Sequence, residues 1–297
     1  MKIAKRVLLF VTVNILIMVT LTTVMGVLGV GPYLTKQGLN YESLAIFCLL
    51  WGFGGAFISL GLSRIMAKWM MGVQIIDSSM NQPELQSLVS RVHQLSKAAG
   101  LNIMPEVGIY DSPEINAFAT GPTKNRSLVA VSSGLLNSMN KQEVDGVLAH
   151  EVAHIANGDM VTMTLVQGVV NAFVMFFARV AGYFASQFVE EEKRPMVQFG
   201  IVLALEIILG MLGMIVVSAF SRMREYRADQ GGAKLSGRDN MIAALERLKR
   251  NYERTVMEDQ PALATMKISG KTGGFAKWFS THPDLDDRIV RLKMIRG

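Results

Sequence analysis

Four long apolar stretches restrict this chain to folds that bury them in lipid or in protein. Residues 7–30 and 44–63 carry no charged side chain, and each can cross a hydrocarbon core of about 30 Å as an α-helix. Residues 160–189 and 196–220 are nearly as apolar, with one ionisable side chain each, Arg179 and Glu206. With half of all residues hydrophobic and a mean hydropathy of +0.31, the chain is too apolar for an ordinary soluble domain of this length.

Lys2, Lys5 and Arg6 precede the first stretch. Its apolar run is longer than the core of a signal peptide and no A-x-A-like cleavage site follows, so it reads as a retained signal anchor. The last two stretches flank the charged turn Glu190-Glu191-Glu192-Lys193-Arg194-Pro195. A hairpin folded about Glu192 places Arg179 and Glu206 at nearly the same depth, about 20 Å from the turn at 1.5 Å per residue. Either they neutralise each other in the membrane, or one of them snorkels or lines water.

Basic side chains cluster before the first stretch, after the second (Arg64, Lys68) and after the fourth (Arg222, Arg224, Arg227). By the positive-inside rule, both termini and both polar regions face the cytoplasm. The net charge of +6 is accounted for by these flanks and anionic lipid, so the expected partner is a bilayer and not nucleic acid. The lone Cys48 excludes a disulfide framework within the chain and reads as an apolar filler.

The first polar region contains a helix, predicted over residues 83–99 from Leu85, Leu88, Val89, Val92 and Leu95, with His93 in a structural role. Three short strands are predicted at 106–110, 115–120 and 127–132, separated by the turns Asp111-Ser112-Pro113 and Gly121-Pro122-Thr123. Asn140 and Glu143 have capping-box spacing and open a further helix whose apolar positions are Val144, Val147, Leu148, Val152 and Ile155. That helix carries His150-Glu151-Val152-Ala153-His154.

Two imidazoles at i and i+4 project from one helix face, where one Zn²⁺ can take a nitrogen from each. Glu151 is rotated off that line and can take a proton from an attacking water without ligating the metal. Only Asn157-Gly158-Asp159 separates this helix from the third apolar stretch. A helical glycine costs about 1 kcal/mol without stopping a helix, so the motif helix is expected to run straight into the bilayer, with its catalytic end at the cytoplasmic membrane surface.

A catalytic zinc needs a third protein ligand. Folding the last two stretches about Glu192 brings Glu225 to within roughly two turns of His154, which makes it a reachable ligand. Asp229, one turn on, is placed to accept the free N–H of a ligating histidine. The competing reading of these acids is a solvated face balanced by Arg222, Arg224 and Arg227. An amphipathic helix is expected over 240–252, a loop over 255–274, and a final helical stretch opening at Phe279-Ser280-Thr281-His282-Pro283. His282 alone reads as a structural residue at a helix start, and Arg288 as either an ion-pair partner or a substrate contact.

The zinc motif, Arg224-Glu225-x-x-Ala228-Asp229, Asn116-Ala117-Phe118-Ala119 and Ser280-Thr281-His282-Pro283 occur in the chain order of the HtpX family. The chain resembles these bacterial inner-membrane zinc proteases, which are related to the type 1 CAAX prenyl endopeptidases, along essentially its whole length. The resemblance implies one Zn²⁺ per subunit bound by His150, His154 and Glu225, with Glu151 as general base. It further implies that Asp229 supports the first histidine and that His282 stabilises the oxyanion or supplies a proton. Asn116, Ala117, Phe118 and Ala119 are implied to form the substrate-binding edge strand, against which a peptide pairs through its backbone.

The fold class expected is an α-helical integral membrane protein with four transmembrane helices and a cytoplasmic α+β zincin-like (gluzincin) catalytic domain. Its parts are a first membrane hairpin (1–69), a catalytic region (70–158), a second hairpin (159–221) and a C-terminal catalytic region (222–297). The function implied is cytoplasmic-side cleavage of misfolded or damaged membrane proteins in a stress response, alongside other membrane quality-control proteases. Two alternatives are a dedicated processing protease for one membrane-protein substrate and a non-enzymatic scaffold stabilised by zinc. The scaffold reading conflicts with Glu151, which a structural site does not need, and with the absence of a fourth ligand such as cysteine.

Overall fold

The computed structural model describes residues 2–35, 38–77, 82–259 and 280–294. The chain divides into two compact units, one of Met1–Leu60 with Thr162–Val217 and one of Gly61–Val161 with Ser218–Gly297.

The first unit is built from long apolar helices: α1 (Lys2–Val27), α2 (Tyr41–Met70) as far as Leu60, α6 (Asp159–Ser186) from Thr162, and α7 (Arg194–Ser236) as far as Val217. The short strands β1 (Leu34–Thr35) and β2 (Gly38–Leu39) form a small hairpin between the first two. Among the described residues three helices are long and apolar enough to cross a membrane: Tyr41–Met70, Asp159–Ser186 and the stretch Glu191–Ser236. Among the described residues of α1 there is a shorter apolar helical segment, Ile15–Val27. Small residues let the helices approach closely; a Cβ added at Gly52 would lie 2.7 Å from the Ala172 backbone nitrogen. Arg179 and Glu206 form an ion pair at 2.6 Å, and the guanidinium also lies over the Phe47 ring at 5.3 Å. Cys48 is buried in this unit.

The second unit is an α+β domain around a four-stranded sheet of order β3-β4-β6-β5. Its strands are β3 (Gln74–Ile75), β4 (Glu106–Tyr110), β5 (Ala117–Thr123) and β6 (Arg126–Ser132), with β4 and β6 parallel and the other pairs antiparallel. Alternation divides the sheet. Val107, Val129 and Val131 pack on Leu88, Val92 and Leu95 of α3 (Pro83–Ala98) and on Leu148, Val152 and Ile155 of α5 (Lys141–Asn157). Tyr110, Leu128 and Ala130 face the other way, onto Ala67 and Val73. The helices α4 (Ser133–Ser138), α8 (Arg238–Asp259) and α9 (Leu285–Met294) are the others among its described residues.

Several expectations need correction. Gly121-Pro122-Thr123 is not a turn: β5 continues through it with a bulge between Thr120 and Thr123, where Gly121 adopts φ +144°. Helix α8 continues to Asp259, so residues 255–259 of the expected loop are helical, and residues 260–274 lie outside the described residues. In keeping with the helical rise used to reach Glu225, the fourth apolar stretch and the acidic segment after it are one unbroken helix, α7.

Candidate metal centre and active site

Helix α5 begins where its sequence says it should. The Asn140 side chain accepts from the Glu143 backbone N–H at 3.0 Å, and the Asn140 N–H donates to the Glu143 carboxylate at 3.0 Å. This reciprocal cap fixes the helix start. With Leu148, Val152 and Ile155 turned into the sheet core, His150 and His154 emerge one turn apart on a neighbouring face.

The helix does not run on into α6. Gly158 adopts φ +73°, and its N–H bonds to the carbonyls of His154 and Ile155; the Lys124 ammonium donates to the Ala156 carbonyl. A left-handed residue ends a helix whatever follows, and only glycine reaches that conformation without a Cβ penalty. Asp159 then starts α6 and turns its carboxylate back onto His154, with Oδ2 2.6 Å from Nδ1.

Helix α7 supplies the acids. At Gly231 and Gly232 its backbone lies against α5: an added Cβ at Gly231 would meet the Ala153 Cβ at 2.7 Å, and one at Gly232 would lie 3.1 Å from the His150 backbone nitrogen. With Ala228 fully buried as well, nothing larger than a methyl group separates the two helices along this line. Less than one turn earlier on α7 Asp229 reaches His150, and about two turns earlier Glu225 reaches both imidazoles.

The Nε2 atoms of His150 and His154 lie 3.1 Å apart, and Glu225 approaches them at 3.5 Å and 3.3 Å respectively. One ligand atom from each of the three side chains falls within 4.8 Å of the others, and all three residues are buried. A tetrahedral ion with ligand bonds of about 2.0–2.2 Å keeps its ligand atoms roughly 3.3–3.6 Å apart. Two imidazole nitrogens and a carboxylate at these separations fit a divalent transition metal, zinc above all.

Electrostatics favour a cation in the same place. Burial lowers the proton affinity of His154, but hydrogen bonds to Asp159 and Glu225 raise its pKa to about 9. Burial opposes charge on His150 too, and Asp229 and Glu225 more than offset it. Arg288 is buried and gives Asp229 two hydrogen bonds, at 2.8 and 2.6 Å, so it is an ion-pair partner and not a solvent-facing substrate contact. Asp229 Oδ1 is 3.0 Å from His150 Nδ1, but that nitrogen lacks a well-aligned hydrogen bond.

Glu151 is half-buried beside His150, about 100° further round α5. His282 is 65% exposed at its side chain, with Nδ1 3.2 Å from Glu225. Its segment is held by Arg222, which donates to the Ser280 carbonyl at 2.7 Å, and by Ser280 Oγ, which donates to the His282 carbonyl at 2.6 Å. Asn116 is exposed and leads into Ala117, Phe118 and Ala119 at the outer edge of the sheet, where β5 pairs with β6 on one side and has no strand on the other among the described residues. The sequence reading did not find Asp159; its one signal is an acid directly behind the glycine that ends the motif helix.

Residues 79–296 match the model of peptidase family M48. The chain belongs to that family. The M48 assignment agrees with full-length relatives: the protease HtpX homologue of Bacillus velezensis is 54% identical, covering 98% of this chain and 99% of the relative. The protease HtpX of Alkalilimnicola ehrlichii is 48% identical, covering 97% of each. Among solved structures, the crystal structure of S. mikatae Ste24p superposes with a TM-score of 0.64 at 20% identity, covering 98% of this chain. This M48 peptidase spans only 64% of that longer chain, and the likeness is one of fold. The protein is thus a membrane metalloprotease, a hydrolase that uses a metal cofactor and acts on protein substrates.

Proposed function

We propose that this protein is a zinc-dependent endopeptidase of the bacterial inner membrane that cleaves misfolded or damaged membrane proteins on the cytoplasmic side. The observation that carries the reading is the buried trio His150, His154 and Glu225, with a carboxylate, Glu151, adjoining it in sequence. In this reading the trio holds one Zn²⁺ per subunit. Bound zinc supplies a Lewis acid for both the attacking water and the scissile carbonyl.

The chain's own groups do the rest. Glu151 takes a proton from the attacking water and returns it to the leaving amine. Asp229, itself neutralised by Arg288, orients His150. His282 reaches over the trio from the exposed side, where it can donate to the oxyanion that forms on the carbonyl. Asn116 to Ala119 offer an unpaired strand edge to an extended peptide, which favours backbone recognition over side-chain selectivity and so suits unfolded substrates.

Charge distribution supports four membrane-spanning helices with both termini cytoplasmic, α1 being the first of them. In the same reading the chain is parsed as membrane hairpin 1–69, catalytic region 70–158, second hairpin 159–221 and C-terminal catalytic region 222–297. Cooperation with other membrane quality-control proteases belongs to the same proposal.

The test uses full-length protein purified in detergent and stripped of metal. Cleavage of an unfolded protein should appear on adding zinc, vanish with a chelator and be lost in Glu151→Gln. Equal cleavage by wild type and the Gln variant would sink the mechanism.

A further inference from the structure

Each imidazole of the trio leans on a carboxylate, and the two carboxylates are engaged differently. Asp229 spends both oxygens on Arg288 and meets His150 without good alignment. Asp159 engages His154 directly, with Oδ2 accepting from Nδ1 at 2.6 Å. Its side chain is 1% exposed, and Oδ1 has no hydrogen bond among the described residues, the nearest cation being Arg227 Nη2 at 3.7 Å on an exposed side chain.

A carboxylate taken so fully out of water is costly unless its few partners are essential to it. The local backbone is built to accept that cost: the left-handed Gly158 ends α5 and reverses the chain so that the first residue of α6 points back at His154.

We propose that Asp159 is the positioning residue for His154, holding Nδ1 in its N–H form so that the Nε2 lone pair faces the metal. This rests on the reading of His150, His154 and Glu225 as zinc ligands. A purely structural Asp159 would serve only the start of α6, where a negative charge is favourable in any case.

Full-length protein in detergent, freed of metal, is titrated with zinc against a chromophoric chelator as wild type, Asp159→Asn and Asp159→Ser. Asn keeps the acceptor without the charge; Ser keeps a side chain favoured at helix starts but is too short to reach His154. Zinc affinity, measured well below each variant's metal-free melting temperature, should fall about 10- to 100-fold, more for Ser than for Asn. A Ser variant that binds within about twofold of wild type overturns the inference and leaves the ligand trio standing. Wild-type protein that fails to take up zinc, or a His154→Ala variant of undiminished affinity, removes the ligand assignment and the inference together. If neither Asp159 variant folds, ¹⁵N-histidine NMR of zinc-loaded wild type decides: an Nδ1–H tautomer at His154 is expected, and an Nε2–H tautomer overturns the proposal.

Discussion

Arg288 holds Asp229 in a two-pronged grip, Nε to Oδ2 at 2.8 Å and Nη2 to Oδ1 at 2.6 Å, across 59 residues of sequence and out of contact with water. Removing one partner of such a buried pair strands the other charge, at a cost of about 3–5 kcal/mol. Arg288→Ala should therefore lose that much stability in denaturant titrations, and Arg288→Lys, which keeps charge without the planar fork, should lose part of it. An Arg288→Ala protein as stable as wild type would mean that the grip contributes nothing net.

The contact of α7 with α5 depends on side chains that are absent. Gly231→Ala drives a methyl group to within 2.7 Å of the Ala153 Cβ, and overpacking of this kind costs about 1–3 kcal/mol. Adding Ala153→Gly should recover part of the loss. Additive losses in the double variant, measured by thermal melting, would show that the two positions do not press on each other.

In the first unit, Arg179 and Glu206 should behave as a pair. Arg179→Met and Glu206→Met are each expected to lower the melting temperature in detergent more than the double substitution does, because each leaves one charge without its counterion. A double variant worse than either single one would contradict pairing.

A third electrostatic element titrates in acid. Burial pushes the Glu106 carboxyl up, but the ion-pair contacts with Arg64 and with Lys68, the latter at 3.0 Å, outweigh it and hold the pKa below its ordinary value of 4.5. A lowered folded-state pKa adds stability above the unfolded value, and that stability is lost as the pH falls through the folded one. Glu106→Gln should accordingly flatten the decline in melting temperature below about pH 4.5. At neutral pH the change should cost less than about 1 kcal/mol, since Glu106 is 38% exposed. Parallel acid profiles for the two proteins would argue against the assignment.

What could be read from the sequence was what local rules govern. The Asn140 and Glu143 spacing marks a helix start that exists, the apolar period along 83–99 marks α3, and β4 occupies 106–110. The spacing of Glu225 from a turn at Glu192 made it reachable, and the fold places it between the two histidines. Where the reading failed, tertiary context decided. Gly158 looks like a tolerable helical residue when only propensity is weighed, but the hydrogen bond of Asp159 to His154 and the Lys124 contact at Ala156 both favour a stop. The bulge that carries β5 past Gly121 depends on a partner strand, which no turn rule contains.

The parts of this centre are strung far apart along the polypeptide, and Arg288 emerges from the ribosome last. Until it does, Asp229 has no guanidinium to neutralise it and His282 has only just become available to reach Glu225. A chain still being synthesised thus carries the His150–Glu151–His154 helix for well over a hundred residues before the constellation can close. The buried Arg288–Asp229 pair can therefore form only after every one of the long apolar helices has been made.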